Sequence, residues 1–345
     1  MNYLVIAVVA LLVSILMIRG ALWLFPKWGL MDRPHKYGLK RAPIPYYGGI
    51  AIVAAFIFTV LIFLKLDFKL AIFLLIALGV AMISFIDDRR GLSPYLRLLM
   101  QLAAGVALFF GGIFVTAIPN PIGPEIALGN WMLGGVAIGS LLATVLWVVL
   151  IMNTMNWVDG LNGLPSGIST IAALVMFALA VKPGIHAVDQ STVAVMALIL
   201  GIVALVFCFH DFYPAKILMG DTGSMFLGFV LAGLAIYSGG KLATAILVLG
   251  FPILDAFWVI LRRIFSGNSP FKGDLMHFHH RLQYAGFTVR QALLIIYLAC
   301  LIFGVLAIFL DTGQKLWALL GLMATMAIFG FIVVILEVEK KRQKR

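Results

Sequence analysis

The sequence predicts an all-α, polytopic membrane protein of about 11 transmembrane helices whose chemistry lies on one face of the bilayer. Three observations lead there. Of 345 residues, 63% are hydrophobic and 11% are charged, against roughly 45–50% and about 25% in soluble domains, and the mean hydropathy is +1.11. A water-soluble enzyme is excluded. A span needs about 20 apolar residues to cross a hydrocarbon layer of about 30 Å, so about eleven spans take up roughly 220 residues and leave short loops. The third observation is that the acidic, amide and histidine residues gather in alternate loops.

Apolar runs place spans near residues 3–25, 48–64, 70–86, 97–117, 132–151, 166–181, 192–209, 224–238, 242–261, 291–310 and 315–336. The first has no basic start and no small-residue cleavage site, so it reads as a retained anchor. Lys and Arg favour the cytoplasmic side of short loops. Counting alternate loops from the first and including the tail gives 19 basic residues, against five in the other loops, with Arg19 inside the first span. The N-terminus is therefore expected outside and the C-terminus in the cytoplasm, in a multi-pass protein of the plasma or inner membrane. The whole chain, 1–345, reads as one integral membrane domain with a basic cytoplasmic tail over 337–345. The formal charge of +11 then answers to anionic membrane lipids and not to nucleic acid. Cys208 and Cys300 lie in apolar runs and pack as small hydrophobes. Among the outer loops only Ile118 to Trp131 stands out: its Pro119-Asn120-Pro121-Ile122-Gly123-Pro124 run suggests turns and a small hairpin.

Four motifs fall on the cytoplasmic side. Asp87-Asp88 ends the third span, followed by Arg89, Arg90 and Arg97; adjacent carboxylates at a membrane edge repel unless a cation or metal-bound phosphate compensates, and Arg97 is near enough to help hold a phosphate. Asn153, Asn156 and Asp159 are spaced by three along one side of a helix end, before Gly160, Asn162, Gly163 and Pro165 break it; that set suits a nucleotide or a metal. Gly220-Asp221-Thr222-Gly223-Ser224 opens a helix, where free N–H groups favour anions, and Asp221 fits such a place if a divalent cation bridges carboxylate and phosphate. Arg262-Arg263 precede His277-Phe278-His279-His280-Arg281 in the longest cytoplasmic loop, with spacing that suits phosphate or sugar contacts better than zinc. Asp255, within the ninth span after Pro252, reads equally as an ion-pair partner of Arg262 or as a functional carboxylate.

Together these motifs resemble the polyprenyl-phosphate N-acetylhexosamine-1-phosphate transferases of glycosyl transferase family 4, which begin peptidoglycan lipid, O-antigen and wall teichoic acid synthesis. The resemblance runs from Asp32-Arg33-Pro34 through Pro43 to Gly49, Asp87-Asp88, Asn153 to Leu164, Gly220 to Ser224, Pro252 to Asp255 and Arg262-Arg263 to His277–Leu282. It implies ten or eleven helices around a cytoplasmic cleft. It also implies Mg²⁺, with Mn²⁺ as a substitute, held by Asp221 and Asn156, and nucleotide and diphosphate contacts around Asp159 to Leu164. Sugar-phosphate contacts fall to the histidines. Asn162, where the lipid I-forming branch has aspartate, and the His-Phe-His-His order look more like the branch that uses UDP-N-acetylglucosamine or a related UDP-sugar. Gly91 stands where many of that branch have a further Asp, and Lys36 to Arg41 replaces a family Arg and His.

The reaction so implied moves a sugar-1-phosphate from a UDP-sugar to a polyprenyl phosphate and releases UMP. Asp87 or Asp88 would remove a residual proton or orient the acceptor phosphate, with Arg97, Asn153, Asp159, Gly160, Asn162, Arg262, Arg263, His277, His279 and His280 binding substrate. The partners are then a UDP-sugar, a polyprenyl phosphate and the bilayer, with homodimerisation left open. The competing class is a transporter or lipid-carrier flippase, which would carry polar groups at mid-membrane and on both faces.

Overall fold

The computed structural model describes residues 2–37, 41–118, 120, 125–183, 189–239, 242–267 and 276–343, without the side chains of 36, 37, 312 and 337–343. Outside the described residues lie most of the Pro119 to Pro124 run, the middle of the Lys36 to Arg41 stretch and the basic side chains of the tail. Thirteen α-helices are present among the described residues: α1 Tyr3–Lys27, α2 Gly49–Phe63, α3 Phe68–Arg90, α4 Pro94–Phe110, α5 Ile138–Trp157, α6 Leu164–Ala180, α7 Ser191–Asp211, α8 Gly220–Tyr237, α9 Leu242–Val248, α10 Gly250–Phe265, α11 Phe278–Ala285, α12 Val289–Phe309 and α13 Thr312–Gln343. Between α4 and α5, on the expected outer side, β1 (Ala117–Ile118) pairs antiparallel with β2 (Ile126–Ala127), and β3 (Met132–Leu133) with β4 (Val136–Ala137). The expected hairpin is thus two short ones.

Each apolar run is helical, and the runs differ in length. Seven of the described helices are long and apolar enough to cross a membrane, or eight if the bent α9–α10 pair is one span. α2, α4 and α6 are apolar but only 15, 17 and 17 residues long, which at about 1.5 Å per residue falls short of a 30 Å layer. The ninth run is also not one rod. It bends by 76° between α9 and α10, because Pro252 lacks an N–H and its ring cannot sit against the carbonyl four residues earlier.

α8 is the central post, buried along almost its whole length and packed by α2, α3, α5, α6, α7 and α9. Apolar side chains gain little from leaving lipid for protein, so close backbone approach has to supply the attraction. The glycines of α8 provide it. A Cβ at Gly228 would stand 2.8 Å from the Met152 Cα of α5, one at Gly233 would strike the Phe73 ring of α3, and one at Gly49 of α2 would collide with the Gly223 backbone. Trp147 ties α5 to α8 through an indole N–H donated to the Ala232 carbonyl at 3.1 Å.

The close α2–α8 contact should be intolerant of any added methyl group. Gly49→Ala is expected to destabilise the protein by about 1–3 kcal/mol, read as a lowered Tm in detergent. Gly79→Ala, with nothing within 4 Å of its Cβ, is the control and should leave Tm nearly unchanged.

Candidate active site

Helix connectivity brings the four motifs expected on the cytoplasmic side to one end of the bundle. The chain from Leu30 to Gly49 forms a strap: Asp32 N–H donates to Ile44 O at 3.0 Å and Tyr46 N–H to Leu30 O at 3.0 Å, while Arg41 and the Ile44 N–H close on the Asp32 carboxylate. The strap then lies along the approach to α8. Leu218 N–H donates to Pro45 O, Gly48 N–H to Leu218 O and Gly49 N–H to Met219 O, all within 2.9 Å.

That docking carries Tyr46 to the start of α8, where Asp88 arrives from the end of α3. One carboxylate of Asp88 accepts four hydrogen bonds: from Asp221 N–H at 2.8 Å and the Tyr46 hydroxyl at 3.2 Å on Oδ1, and from Thr222 N–H at 2.9 Å and Thr222 Oγ1 at 2.5 Å on Oδ2. The first amides of a helix have no partner within it, and here a side chain from another helix supplies one. Gly220, at φ +71°, leaves the room, since a Cβ there would come within 2.8 Å of Asp88 Oδ2. Burial first, then the charges of Asp88, Asp221 and Asp159, hold the Tyr46 phenol far above its ordinary pKa, so it remains a donor.

Asp87 faces the other way. Its carboxylate accepts Leu92 N–H at 2.6 Å and takes Arg97 through Nε at 2.5 Å and Nη2 at 3.0 Å. The same guanidinium reaches Asp221 Oδ2 through Nη1 at 3.1 Å. On the far side of Asp221, Asn156 Nδ2 donates to its Oδ1 at 2.9 Å and to Ser224 Oγ at 3.1 Å. The expected row of three therefore divides. Asn153, one helical turn back, exchanges hydrogen bonds with Gln101 of α4 at 2.7 and 3.3 Å. Asp159 lies in a short 3₁₀ turn, Val158–Gly160, within electrostatic range of Asp211, Asp221 and Asp88. Neither Asp159 nor Asn162 makes a side-chain hydrogen bond within the described residues.

The histidines close the site from the α10–α11 side. Asp255 accepts the Phe278 N–H at 2.8 Å and meets His277 Nδ1 at 3.0 Å, so its role is to cap and hold α11. The His277 ring is stacked 5.8 Å from His279, whose ring lies 4.2 Å from His280. A Cβ on Gly160 would come within 3.0 Å of His279 Nε2 and 3.4 Å of His280 Nε2, which brings the turn and the imidazoles together. His279 Nε2 is buried without a partner among the described residues. Burial, and after it the neighbouring His280 and His277, hold its pKa well below the ordinary imidazole value. Arg262 and Arg263 sit half-buried in the last turn of α10.

Sequence reasoning missed Gln101 and Asp211 as parts of the site, and it placed Tyr46 and Thr222 within motifs without giving either a role. Gln101 did carry a signal, being a lone amide in the apolar run of α4 one turn after Arg97. No group of three or more His, Cys, Asp or Glu in metal-holding array occurs among the described residues. Mg²⁺ does not require one: it keeps several waters and takes one or two carboxylates plus substrate phosphates. Asp221, with 24% of its side chain exposed, fits as such a carboxylate, and Asn156, whose Nδ2 now faces it, could add only its amide oxygen.

The family model for glycosyl transferase family 4 matches residues 70–239, a stretch that holds Asp87, Asp88, Asn153 to Asn162 and Asp221. The chain is 32% identical to a probable undecaprenyl-phosphate N-acetylglucosaminyl 1-phosphate transferase of Bacillus subtilis, covering 89% of this chain and 84% of the relative. It is 32% identical to a decaprenyl-phosphate N-acetylglucosaminephosphotransferase of Mycolicibacterium smegmatis, over 84% and 78% of the two chains. A Yersinia pestis undecaprenyl-phosphate alpha-N-acetylglucosaminyl 1-phosphate transferase is 27% identical over 89% and 85%.

The buried neutral state of His279 gives a pH dependence of definite sign. A base held below its unfolded value of about 6.5 adds full stability above that pH, and the contribution is lost as the pH falls, because the unfolded chain then binds the proton more readily. Between pH 7.5 and 5.5 the Tm of the wild type should drop more steeply than that of His279→Gln. Parallel curves would show that His279 does not carry this effect.

Proposed function

The chain belongs to glycosyl transferase family 4, and on that premise we propose that it transfers N-acetylglucosamine-1-phosphate from UDP-N-acetylglucosamine to a polyprenyl phosphate, releasing UMP. The observation that carries the reading is the single network joining Asp87, Asp88, Arg97, Asn156 and Asp221 at one end of the bundle, with Gly160 linking it to the histidines. A flippase would need polar groups placed for passage across the membrane, and this network instead serves a reaction at one surface.

The chemical problem is the approach of two anions. A phosphate monoester has its second pKa near about 6, so the lipid acceptor is largely dianionic at neutral pH and needs little help from a base. Neutralisation and alignment govern the rate. An oxygen of the acceptor phosphate attacks the phosphorus that bears the sugar; its bond to the bridging oxygen breaks and UMP leaves. Held by Asp221 and Asn156, Mg²⁺, or Mn²⁺ in its place, would neutralise the diphosphate and stabilise the departing UMP. Arg97, already set between Asp87 and Asp221, supplies a guanidinium at the same point, and Arg262, Arg263, His277, His279 and His280 offer donors to the sugar-phosphate side. Asp159, Gly160 and Asn162 form the nucleotide contact, with uncommitted side chains at Asp159 and Asn162. With all their near donors engaged, Asp87 and Asp88 act by orientation: Asp87 fixes Arg97, and Asp88 fixes the turn that carries Asp221. Asn153 braces α5 against α4 through Gln101.

The acceptor chain can stay in the bilayer. A groove of about 580 Å³ between α10 and α13, lined by Phe257, Trp258, Leu261, Met323 and Phe331, ends at Asp255, Phe278 and Arg281, next to the histidine segment. Its walls suit an isoprenoid, and of its charged lining residues Arg281 suits a phosphate.

Purified protein given UDP-N-acetylglucosamine, undecaprenyl phosphate and Mg²⁺ should release UMP in step with the formation of lipid-linked sugar. Asp221→Ala should abolish that release while the protein stays folded, and full activity in this variant would discard the metal assignment. Asp88→Asn sets an amide NH₂ against incoming donors, so kcat should fall by about tenfold or more with a smaller change in either KM. For the arrangement in the membrane, a reporter fused after residue 345 should be active only in its cytoplasmic form.

A further inference from the structure

Asp211, the last residue of α7, is a buried carboxylate that the proposed reaction does not use. Its side chain is 2% exposed. Its Oδ2 accepts the Gly163 N–H at 2.9 Å and lies 3.1 Å from the Ser166 hydroxyl, which is also 3.0 Å from the Gly163 carbonyl, so a neighbouring helix holds the residue that precedes α6. The opposite side of the same peptide is held as well. The Tyr297 hydroxyl of α12 donates to the Gly163 carbonyl, and the Cys208 sulfur lies 3.9 Å from that oxygen. Gly163 itself stands at φ +90°, with Phe212 Cα 3.3 Å from where a Cβ would be. Tyr297 lies flush against α6, since a Cβ on Gly167 would strike its ring.

This clamp closes one end of the segment from Val158 to Gly163. The other end is fixed by Asn156 on Asp221 and Ser224. Between them Asp159 and Asn162 have no side-chain hydrogen bonds of their own among the described residues, so their positions depend on the two ends. We propose that Asp211 is a positioning residue for the nucleotide half of the donor substrate, acting through Gly163 to place Asp159 and Asn162 without touching the substrate. The inference rests on the transferase reading above and adds a residue that reading does not require.

What the position demands is an accepting oxygen. Asparagine can supply one at the same place, and leucine, of similar size, cannot. With full-length protein, UDP-N-acetylglucosamine, undecaprenyl phosphate and Mg²⁺, Asp211→Leu should raise the KM for the UDP-sugar by about tenfold and leave the KM for the lipid within about twofold. Asp211→Asn should stay within about twofold of wild type for both substrates. If Asp211→Leu is not recovered folded, Ser166→Ala and Tyr297→Phe each remove one bond of the clamp and should each raise the donor KM alone, by about threefold.

An unchanged donor KM in these variants, or equal rises for both substrates, would overturn the inference; so would an Asp211→Asn as impaired as Asp211→Leu. Wild-type protein that turns over no UDP-sugar would instead overturn the transferase reading, and the nucleotide role with it. Turnover by the wild type together with an indifferent Asp211→Leu would remove this inference alone.

Discussion

Four hydrogen bonds into the carboxylate of Asp88 fix the geometry of everything else at this end of the molecule. α8 is the post around which the bundle packs, and the first amides of a helix must find acceptors outside it. Away from bulk water an unmet donor costs about 1–3 kcal/mol, so the carboxylate that α3 delivers determines where α8 begins. Asp221 lies one residue into that helix. Its place relative to Asn156, Arg97 and Tyr46 is therefore set by a residue in a segment more than 130 positions earlier in the chain.

The acidic residues that looked alike in the sequence divide by what already holds them. Asp87 is occupied by Arg97 and Leu92, Asp88 by the start of α8, Asp211 by the start of α6, and Asp255 by the start of α11 and His277. Three of these four cap a helix that belongs to another part of the chain. Asp221 is held by Asn156 and Arg97 but stays partly exposed, and Asp159 has no side-chain hydrogen bond among the described residues, which leaves these two to meet incoming groups. A membrane enzyme that handles two polyanions needs cations and dipoles in its cleft, and carboxylates can stand there only if each is tied to a donor or kept for a metal. The division meets that condition.

Much of this was legible in the sequence. The apolar runs became helices at the expected places because continuous apolar stretches of that length have few other structures to adopt. The pairing of Asp221 with Asn156 came from the family resemblance and not from spacing, and the structure brings the two side chains to 2.9 Å. What escaped was the content that needs three dimensions. Pairing within a loop cannot show that Asp88 caps a helix beginning at Gly220, nor that Asn153 turns to Gln101 while Asn156, three residues on, turns to Asp221. Tyr46 lay inside a motif of the resemblance but had no role there, because its bond to Asp88 depends on the strap running along Leu218 and Met219.

The break at Pro252 explains how the histidines reach a site built from helices that precede them. Had residues 242–261 formed one straight span, Asp255 would lie along a rod parallel to its neighbours and hold nothing beyond them. The 76° bend swings α10 away from α9, and Asp255, three residues after Pro252, then takes both the His277 ring and the first amide of α11. The His277–His280 segment is thereby suspended over Gly160 by a carboxylate from the broken helix, and Gly160 has no side chain to keep it off. The same bend separates α10 from the bundle enough to leave the apolar groove against α13 whose polar end is Asp255 and Arg281. One helix break thus meets two needs of the proposed lipid-phosphate transfer: it hangs the histidine segment over the cleft, and it leaves the apolar groove beside that segment.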